Sequence, residues 1–325
     1  MSDLHPFARL TPDTVMDAVD STGRRCDARI LELNSYENRV YQIGIEDSDP
    51  LVGKFYRPDR WTDAQILEEH NFTIELAEMD VSAVPPIRLD SSGTLGHFNG
   101  YRFALYPRRG GRAPDLDSAE NLEILGRHLG RIHAVGAHRR FTHRPNISVA
   151  DYGIASRDYL LGEGFIPPDW RNSYESLTTT ILDALDGIFD GFRFIRLHGD
   201  CHMGNVLWRD DLPHFVDFDD ARNGPAIQDL WMMLSGETHL QGQQMANILS
   251  GYRTFFDFDL AELRLIEPLR TLRIMYHATW LARRWDDPAF PRAFPFFNTN
   301  HYWSQHLLQL RDQIERLQAE PVRIY

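Results

Sequence analysis

The chain has 325 residues, of which 42% are hydrophobic and 12% aromatic, and it carries a net charge of −13. This length allows one large domain or two lobes with separate cores, and the hydrophobic content excludes a disordered chain. The acidic balance argues against nucleic acid as the main partner, because phosphate backbones are bound by clustered Lys and Arg.

The sequence contains no signal for membranes or secretion. Residues 1–10 lack the basic and apolar regions of a signal peptide, and no apolar run approaches the length of a membrane span. The two cysteines, Cys26 and Cys201, lie far apart and do not suggest a disulfide framework. We therefore expect a cytoplasmic protein in a reducing compartment, without a membrane partner, and we expect it to be a monomer.

The first third of the sequence predicts a strand-rich unit. A helix is predicted over residues 11–22, and a second opens at a capping box, Thr62 to Gln65, and continues through about Met79. Five runs have the composition of strands, so residues 28–107 contain five strands with a helix after the third. The predicted strands are 28–33, 39–45, 51–56, 87–89 and 101–106, with a turn at Ser91–Gly96 between the last two.

Lys54 is the single lysine among 34 basic residues and lies in the third predicted strand. Where arginine is the default cation, a retained lysine indicates a need for a compact ammonium group. The following helix carries Glu68 and Glu69, and a helix acid after a strand lysine is the arrangement that holds a phosphate-binding lysine in place. The turn over residues 34–38 is either an ordinary hairpin turn or a phosphate contact through backbone N–H groups and the Ser35 hydroxyl.

A polar segment, Pro107 to Arg112, separates this unit from a region dominated by helical patterns. We predict an N-terminal nucleotide-binding lobe over residues 1–107 and a C-terminal catalytic and substrate lobe over residues 108–325. Four aromatic residues of the last third could line a substrate cleft, but core packing is favoured. These residues are Tyr276, Trp280, Trp285 and Trp303.

The stretch Arg196–Ala221 concentrates polar residues in one short piece of chain. Asn205 follows Asp200 by five positions, and two apolar runs joined by a charged turn lead to Asp217. Two short strands with this turn would bring the loop of Asp200 beside Asp217. Phosphoryl transfer needs such a set, since one carboxylate accepts the hydroxyl proton while a carboxamide and a carboxylate hold Mg²⁺. Farther along the chain, Asp229 has two possible roles. Its carboxylate could stabilise the N-terminus of the helix that begins near it, or it could form hydrogen bonds that hold this loop.

The motifs His198-Gly199-Asp200-x-x-x-x-Asn205 and Val216-Asp217-Phe218-Asp219 resemble the aminoglycoside phosphotransferase and choline kinase branch of the kinase-like fold. Within this branch, the chain is similar to bacterial serine/threonine protein kinases. The resemblance implies an α+β, bilobal protein-kinase-like fold with a strand-rich N-terminal lobe and a mainly helical C-terminal lobe. The supporting stretches span most of the chain and are 33–41, 54–58, 66–70, 198–205 and 219–231.

The resemblance also implies a role for each candidate residue. Asp200 and Asp217 would be catalytic, with Asp200 accepting the substrate proton. Asn205 and Asp217 would bind Mg²⁺, and whether Asp219 adds a second metal contact stays open. The nucleotide contacts implied are Ser35 at the phosphates, Lys54 steadied by Glu69 in preference to Glu68, and Tyr106 at an adenine-contacting hinge.

The activity implied is ATP- and Mg²⁺-dependent transfer of the γ-phosphate to Ser/Thr hydroxyls of proteins, with autophosphorylation and a stress-response role. The expected partners are ATP and a protein substrate. His198-Gly199-Asp200 stands where most eukaryotic protein kinases carry His-Arg-Asp, and no clear Ala-Pro-Glu segment comes after it. These departures also suit a small-molecule kinase of the aminoglycoside, choline or homoserine type, which is the alternative. A nucleotide-binding module without catalysis is disfavoured by the intact set of polar residues.

Overall fold

A computed structural model describes residues 5–89 and 93–324. Within these ranges the chain forms a five-stranded antiparallel sheet with two helices, followed by a mainly helical part that also holds two small two-stranded sheets. This confirms the predicted α+β, bilobal, kinase-like fold. We call the two parts the N-terminal lobe and the C-terminal lobe.

The sheet of the N-terminal lobe has the strand order β1-β2-β3-β5-β4. One face of the sheet packs on helix α1, and Phe55 and Phe103 stack in this core with ring centroids 5.4 Å apart. Helix α2 begins at the predicted capping box, in which Thr62 and Gln65 exchange side-chain and backbone hydrogen bonds. The elements are α1 (Pro12–Asp20), β1 (Cys26–Leu33), β2 (Arg39–Ile45), β3 (Ser48–Phe55), α2 (Asp63–Glu78), β4 (Gly96–Phe98) and β5 (Tyr101–Pro107).

The fourth strand differs from the prediction. The strand that pairs with the outer side of β5 is Gly96–Phe98, and the strand predicted at residues 87–89 is wrong. The segment makes single backbone hydrogen bonds, from the Ile87 N–H to the Leu105 carbonyl at 2.8 Å and from the Leu89 N–H to the Gly93 carbonyl at 2.6 Å. Pro85 and Pro86 supply no N–H, so these bonds do not continue into a ladder before residue 87. The predicted turn at Ser91–Gly96 includes residues 91 and 92, which lie outside the described residues.

Two helices of the C-terminal lobe, α3 and α7, approach each other closely because glycines face the contact. A Cβ atom on Gly126 would lie 1.9 Å from the Ile248 carbonyl oxygen, and one on Gly251 would lie 1.9 Å from the Glu123 carbonyl oxygen. Only glycine permits this separation. The helices of this lobe are α3 (Ala119–Gly136), α4 (Ala155–Gly162), α5 (Pro168–Ala184), α6 (Ile227–Trp231), α7 (Thr238–Tyr252), α8 (Ile266–Ala282), α9 (Ala289–Ala293) and α10 (Asn300–Gln318).

Two small antiparallel sheets hold the stretch from residue 198 to residue 221. Strand β6 (Ile195–Leu197) pairs with β9 (Arg222–Gly224) and joins the two ends of the stretch. Inside it, β7 (Val206–Arg209) and β8 (Leu212–Phe215) form the predicted hairpin. In the part of the chain that the structure describes, no helix is both long enough and apolar enough to cross a membrane.

Candidate active site

A cleft of about 380 Å³ lies between the two lobes. Six of the seven predicted site residues line it, and they come from both lobes. Strands β3 and β5 and helix α2 contribute from one side, and the β7–β8 hairpin region contributes from the other. The six residues are Ser35, Lys54, Glu69, Tyr106, Asn205 and Asp217. The seventh, Asp200, lies beside the cleft, where its carbonyl accepts a hydrogen bond from the Asn205 side chain at 3.0 Å.

Asn205 and Asp217 are brought together by the hairpin, since the Val216 N–H donates to the Asn205 carbonyl at 3.1 Å. The Asn205 amide nitrogen donates to Asp200, and among the described residues its Oδ1 atom has no hydrogen-bond donor, so this oxygen could bind a ligand. Asp217 has a left-handed backbone (φ 59°), a conformation that Asp and Asn adopt more readily than most residues. Its carboxylate is half exposed. Amide and carboxylate oxygens are the ligands that Mg²⁺ prefers, so this pair fits the ion.

Lys54 is buried and reaches across to the C-terminal lobe. Its Nζ atom lies 2.9 Å from Asp217 Oδ1 and 3.0 Å from Asp219 Oδ1. Burial lowers the pKa of the Lys54 ammonium group, but the two carboxylates outweigh that effect and raise the pKa well above its ordinary value. Lys54 is therefore a permanent positive charge at the junction of the lobes.

The two candidate glutamates of helix α2 have different surroundings. Glu68 accepts backbone N–H groups of Thr142, His143 and Arg144 at 2.7–2.8 Å, so it holds a loop of the other lobe. Glu69 is buried in the cleft wall, 3.6 Å from the Arg144 guanidinium group. Burial raises the pKa of Glu69 to about 7, although the nearby cations oppose this. The ion pairs of Lys54 within the described ranges are with the two aspartates and not with Glu69.

Asp200 faces helix α8 rather than the cleft. Its Oδ1 atom lies 2.8 Å from Arg273 Nη1, and its Oδ2 atom lies 3.5 Å from His202 Nε2. Burial raises the pKa of Asp200, but His202 and Arg273 outweigh it and hold the pKa below its usual range. The Arg273 contact is not aligned as a hydrogen bond, so Oδ1 is left without a hydrogen bond to any described residue.

The backbone before Asp200 is held by a fully buried carboxylate. Asp229 accepts the His198 N–H at 2.7 Å and the Gly199 N–H at 2.8 Å. The same carboxylate lies 3.1 Å from His133 Nε2, and His133 Nδ1 lies 2.7 Å from the Tyr252 hydroxyl. Of the two alternatives for Asp229, the contacts support the loop-holding one. The side chains of Tyr252 on α7, His133 on α3 and Asp229 thus form a chain of hydrogen bonds that connects these two packed helices to the candidate catalytic loop.

Comparisons with known proteins show the family of the chain. A family model described as the phosphotransferase enzyme family (APH) matches residues 29–266. The chain belongs to this family. It is 44% identical over 319 residues to stress response kinase A of Escherichia coli (strain K12), covering 98% of this chain and 97% of that one. The identity and coverage are the same for a Salmonella typhimurium protein named serine/threonine protein kinase RdoA. The protein is therefore a kinase.

Solved structures of similar fold include an amicoumacin kinase in complex with AMP-PNP, Ca²⁺ and Ami. It has a TM-score of 0.71 at 20% identity and covers 91% of this chain and 90% of that one. A microcompartment-associated aminopropanol kinase has a TM-score of 0.67 at 15% identity and covers 88% and 90%. At these sequence identities the similarity shows a shared fold.

Asp229→Asn is expected to destabilise this phosphotransferase. The amide nitrogen of the new side chain would face backbone N–H groups that now have an acceptor, so at least one buried donor loses its partner. We expect the free energy of unfolding, measured by urea denaturation, to fall by about 1–3 kcal/mol. Asp312→Asn, on the exposed face of α10, is the matched control and should change it by less than about 0.5 kcal/mol. Equal stability of the two variants would contradict the role of Asp229.

Beside the cleft of this phosphotransferase lie arginines that the sequence patterns did not single out. Arg60 lies 2.5 Å from Asp219 and 2.8 Å from Asp220, and Arg144 donates to the Asp219 carbonyl at 2.6 Å. The spacing of Arg57 and Arg60, three positions apart just after Lys54, was the local signal available. It was weak, because arginine is so frequent in this chain.

A second set of charges joins the lobes, and we call it the lobe clasp: Glu37, Arg39, Arg57, Trp280 and Asp287. Asp287 is buried and lies 3.1 Å from Arg39 and 2.8 Å from Arg57. Glu37 accepts the Trp280 indole N–H at 2.6 Å. The turn over residues 34–38 is thereby tied to the C-terminal lobe. Of the four aromatic residues that could have lined a substrate cleft, Trp303 is a core residue as favoured, whereas Trp280 contributes to the clasp.

Proposed function

We propose that this kinase transfers the γ-phosphate of ATP to Ser/Thr hydroxyls of proteins in an Mg²⁺-dependent reaction. One observation carries the proposal: 44% identity over 98% of the chain to relatives that include one named serine/threonine protein kinase. The name stress response kinase A of other relatives supports a role in stress response for this chain. Autophosphorylation is part of the same proposal, since an enzyme of this type acts on polypeptide hydroxyls.

Asp200 is proposed to orient the acceptor hydroxyl and to take its proton as the new P–O bond forms. Its lowered pKa keeps the carboxylate ionised at neutral pH. Such a weak base cannot remove the proton beforehand, so its contribution is to position the hydroxyl and to accept the proton late in the step. The Oδ1 atom makes no aligned hydrogen bond to a described residue and would accept the hydroxyl once the Arg273 guanidinium group, 2.8 Å away, is displaced. Asp229 holds the backbone that carries it.

The nucleotide is proposed to occupy the cleft between the lobes. Tyr106 lines the end of the cleft near the linker and would contact adenine, while Ser35 and Lys54 would contact phosphate oxygens. Glu69 would support Lys54 once phosphates draw the lysine away from its aspartates. Asn205 and Asp217 would hold Mg²⁺, which would supply positive charge against the negative charge of the phosphates.

Phosphate transfer from γ-labelled ATP tests this proposal. The purified kinase is incubated with Mg²⁺ alone, with a generic unfolded protein rich in Ser and Thr, and with choline, homoserine or an aminoglycoside. We expect label on the added protein and on the kinase itself, in acid-stable, alkali-labile form as for phosphoserine and phosphothreonine. Label on a small molecule alone would overturn the proposal in favour of a small-molecule kinase. Nucleotide binding without transfer to any acceptor would also contradict it.

A further inference from the structure

The side of Asp200 that faces away from the nucleotide cleft is dominated by one arginine. Arg273 lies on helix α8, 2.8 Å from Asp200 Oδ1, and neither residue lines the cleft. The Arg273 side chain is 41% exposed, whereas that of Asp200 is 24% exposed. The guanidinium group therefore lies beside any hydroxyl that reaches Asp200 Oδ1.

The other carboxylates near this approach are already neutralised. Asp220 lies 2.8 Å from Arg60 and 2.7 Å from Arg222. Asp219 is paired with Lys54 and Arg60. A cationic acceptor would thus find no unpaired carboxylate among these residues. Arg273, in contrast, has one carboxylate partner among the described residues, Asp200. Most N–H donors of its guanidinium group therefore remain available to an acceptor.

We infer that Arg273 recognises the acceptor and selects a hydroxyl that is flanked by an acidic group. The inference rests on the proposed function, because it specifies which Ser or Thr is phosphorylated. Arginine suits this task, since its planar fork binds a carboxylate in a bidentate manner. The acidic residue beside the acceptor would form an ion pair with the Arg273 guanidinium group in place of Asp200. The Asp200 Oδ1 atom could then accept the hydrogen bond of the acceptor hydroxyl. In the free enzyme, the Arg273 guanidinium group would remain paired with Asp200 until such an acceptor binds.

The surroundings of Arg273 on α8 agree with this recognition. His277 lies one turn further along the helix, where burial and the charge of Arg273 lower the pKa of its imidazole. Tyr276 and Tyr152 pack with ring centroids 4.6 Å apart and supply an apolar floor. The Arg222 guanidinium group also lies over the Tyr152 ring, 5.1 Å from its centroid, but it is paired with Asp220 at 2.7 Å. Arg273 is thus the guanidinium group beside Asp200 that keeps donors for an acceptor, which favours one acidic residue next to the acceptor over a long acidic run.

Three peptides that differ only beside a central serine test the inference, with Glu, Gln or Arg as the flanking residue. We expect the wild-type kcat/KM to be about tenfold higher for the Glu peptide than for the Arg peptide. Arg273→Gln should remove most of that preference, Arg273→Glu should reverse it, and Arg273→Lys should keep part of it. Arg283→Gln is the matched control, because Arg283 lies at the end of the same helix over the Tyr159 ring and away from Asp200.

The KM for ATP should be the same in all the variants, because Arg273 does not line the nucleotide cleft. The ratio between peptides is the decisive value, since a merely structural loss would lower all three rates together. Equal rates for the three peptides in the wild type, or an unchanged ratio in Arg273→Glu, would overturn the inference and leave the proposed function intact. Failure to label any polypeptide would overturn the proposed function and this inference with it.

Discussion

Asp200→Asn is expected to lower kcat by about 10²–10⁴-fold and to leave ATP binding nearly unchanged. The amide is the same size as the carboxylate but cannot accept a proton, and it loses the attraction to the Arg273 guanidinium group. Asp200 does not line the nucleotide cleft, so the nucleotide keeps its contacts. Steady-state transfer to the protein acceptor gives kcat, and calorimetry with a non-hydrolysable ATP analogue gives the affinity.

Asp210→Asn is the control for this experiment. Asp210 lies in the turn of the same hairpin and its side chain is 82% exposed, so the same chemical change there should leave kcat within about twofold. Near-normal turnover by Asp200→Asn would show that another group takes the proton. A parallel loss of nucleotide affinity would show instead that the loop had lost its structure.

Asp217→Asn is expected to lower kcat by about 10²–10³-fold, because a group that stabilises developing charge is lost. It should also reduce the gain in nucleotide affinity that Mg²⁺ provides, since the amide is a weaker ligand for a hard cation than the carboxylate. Nucleotide affinity measured with Mg²⁺ and with EDTA separates the two effects. The difference between these conditions should be large in the wild type and at least about tenfold smaller in the variant.

Asp211→Asn is the matched control because its backbone is left-handed, as is that of Asp217, with φ 60° against 59°. The same substitution is therefore made in the same conformation, one at the exposed turn and one in the cleft. Asp211→Asn should keep the Mg²⁺ effect in full. If Asp217→Asn also keeps it, Asp217 is not a ligand of the metal.

The sequence predicted the site best where its residues lie close together along the chain. Asn205 and Asp217 are joined by a short hairpin, and the alternation of apolar runs with a charged turn predicted that hairpin. The cleft position of Lys54 was predicted from its place in a strand and from its rarity. Glu68 and Glu69 could not be separated, because adjacent helical residues differ by about 100° in direction and the orientation of α2 was unknown.

What the sequence did not predict depends on pairs that are distant along the chain. Arg60 meets Asp219 across 159 residues, and Arg273 meets Asp200 from a helix whose rotation is set by core packing. In a chain with many arginines, no single one is marked by its type. The strand at residues 87–89 was predicted from apolar composition, which does not show that Gly96–Phe98 takes the edge of β5 and that two prolines end any ladder before residue 87.

The lobe clasp has a consequence for how the protein responds to salt. Separation of the lobes would expose Asp287 and the two arginines that it binds, and these groups are shielded from solvent while the clasp is closed. Dissolved ions weaken attractions between exposed charges far more than those between buried ones. Separation of the lobes should therefore meet an internal barrier that ionic strength changes little, even though the chain carries a net charge of −13.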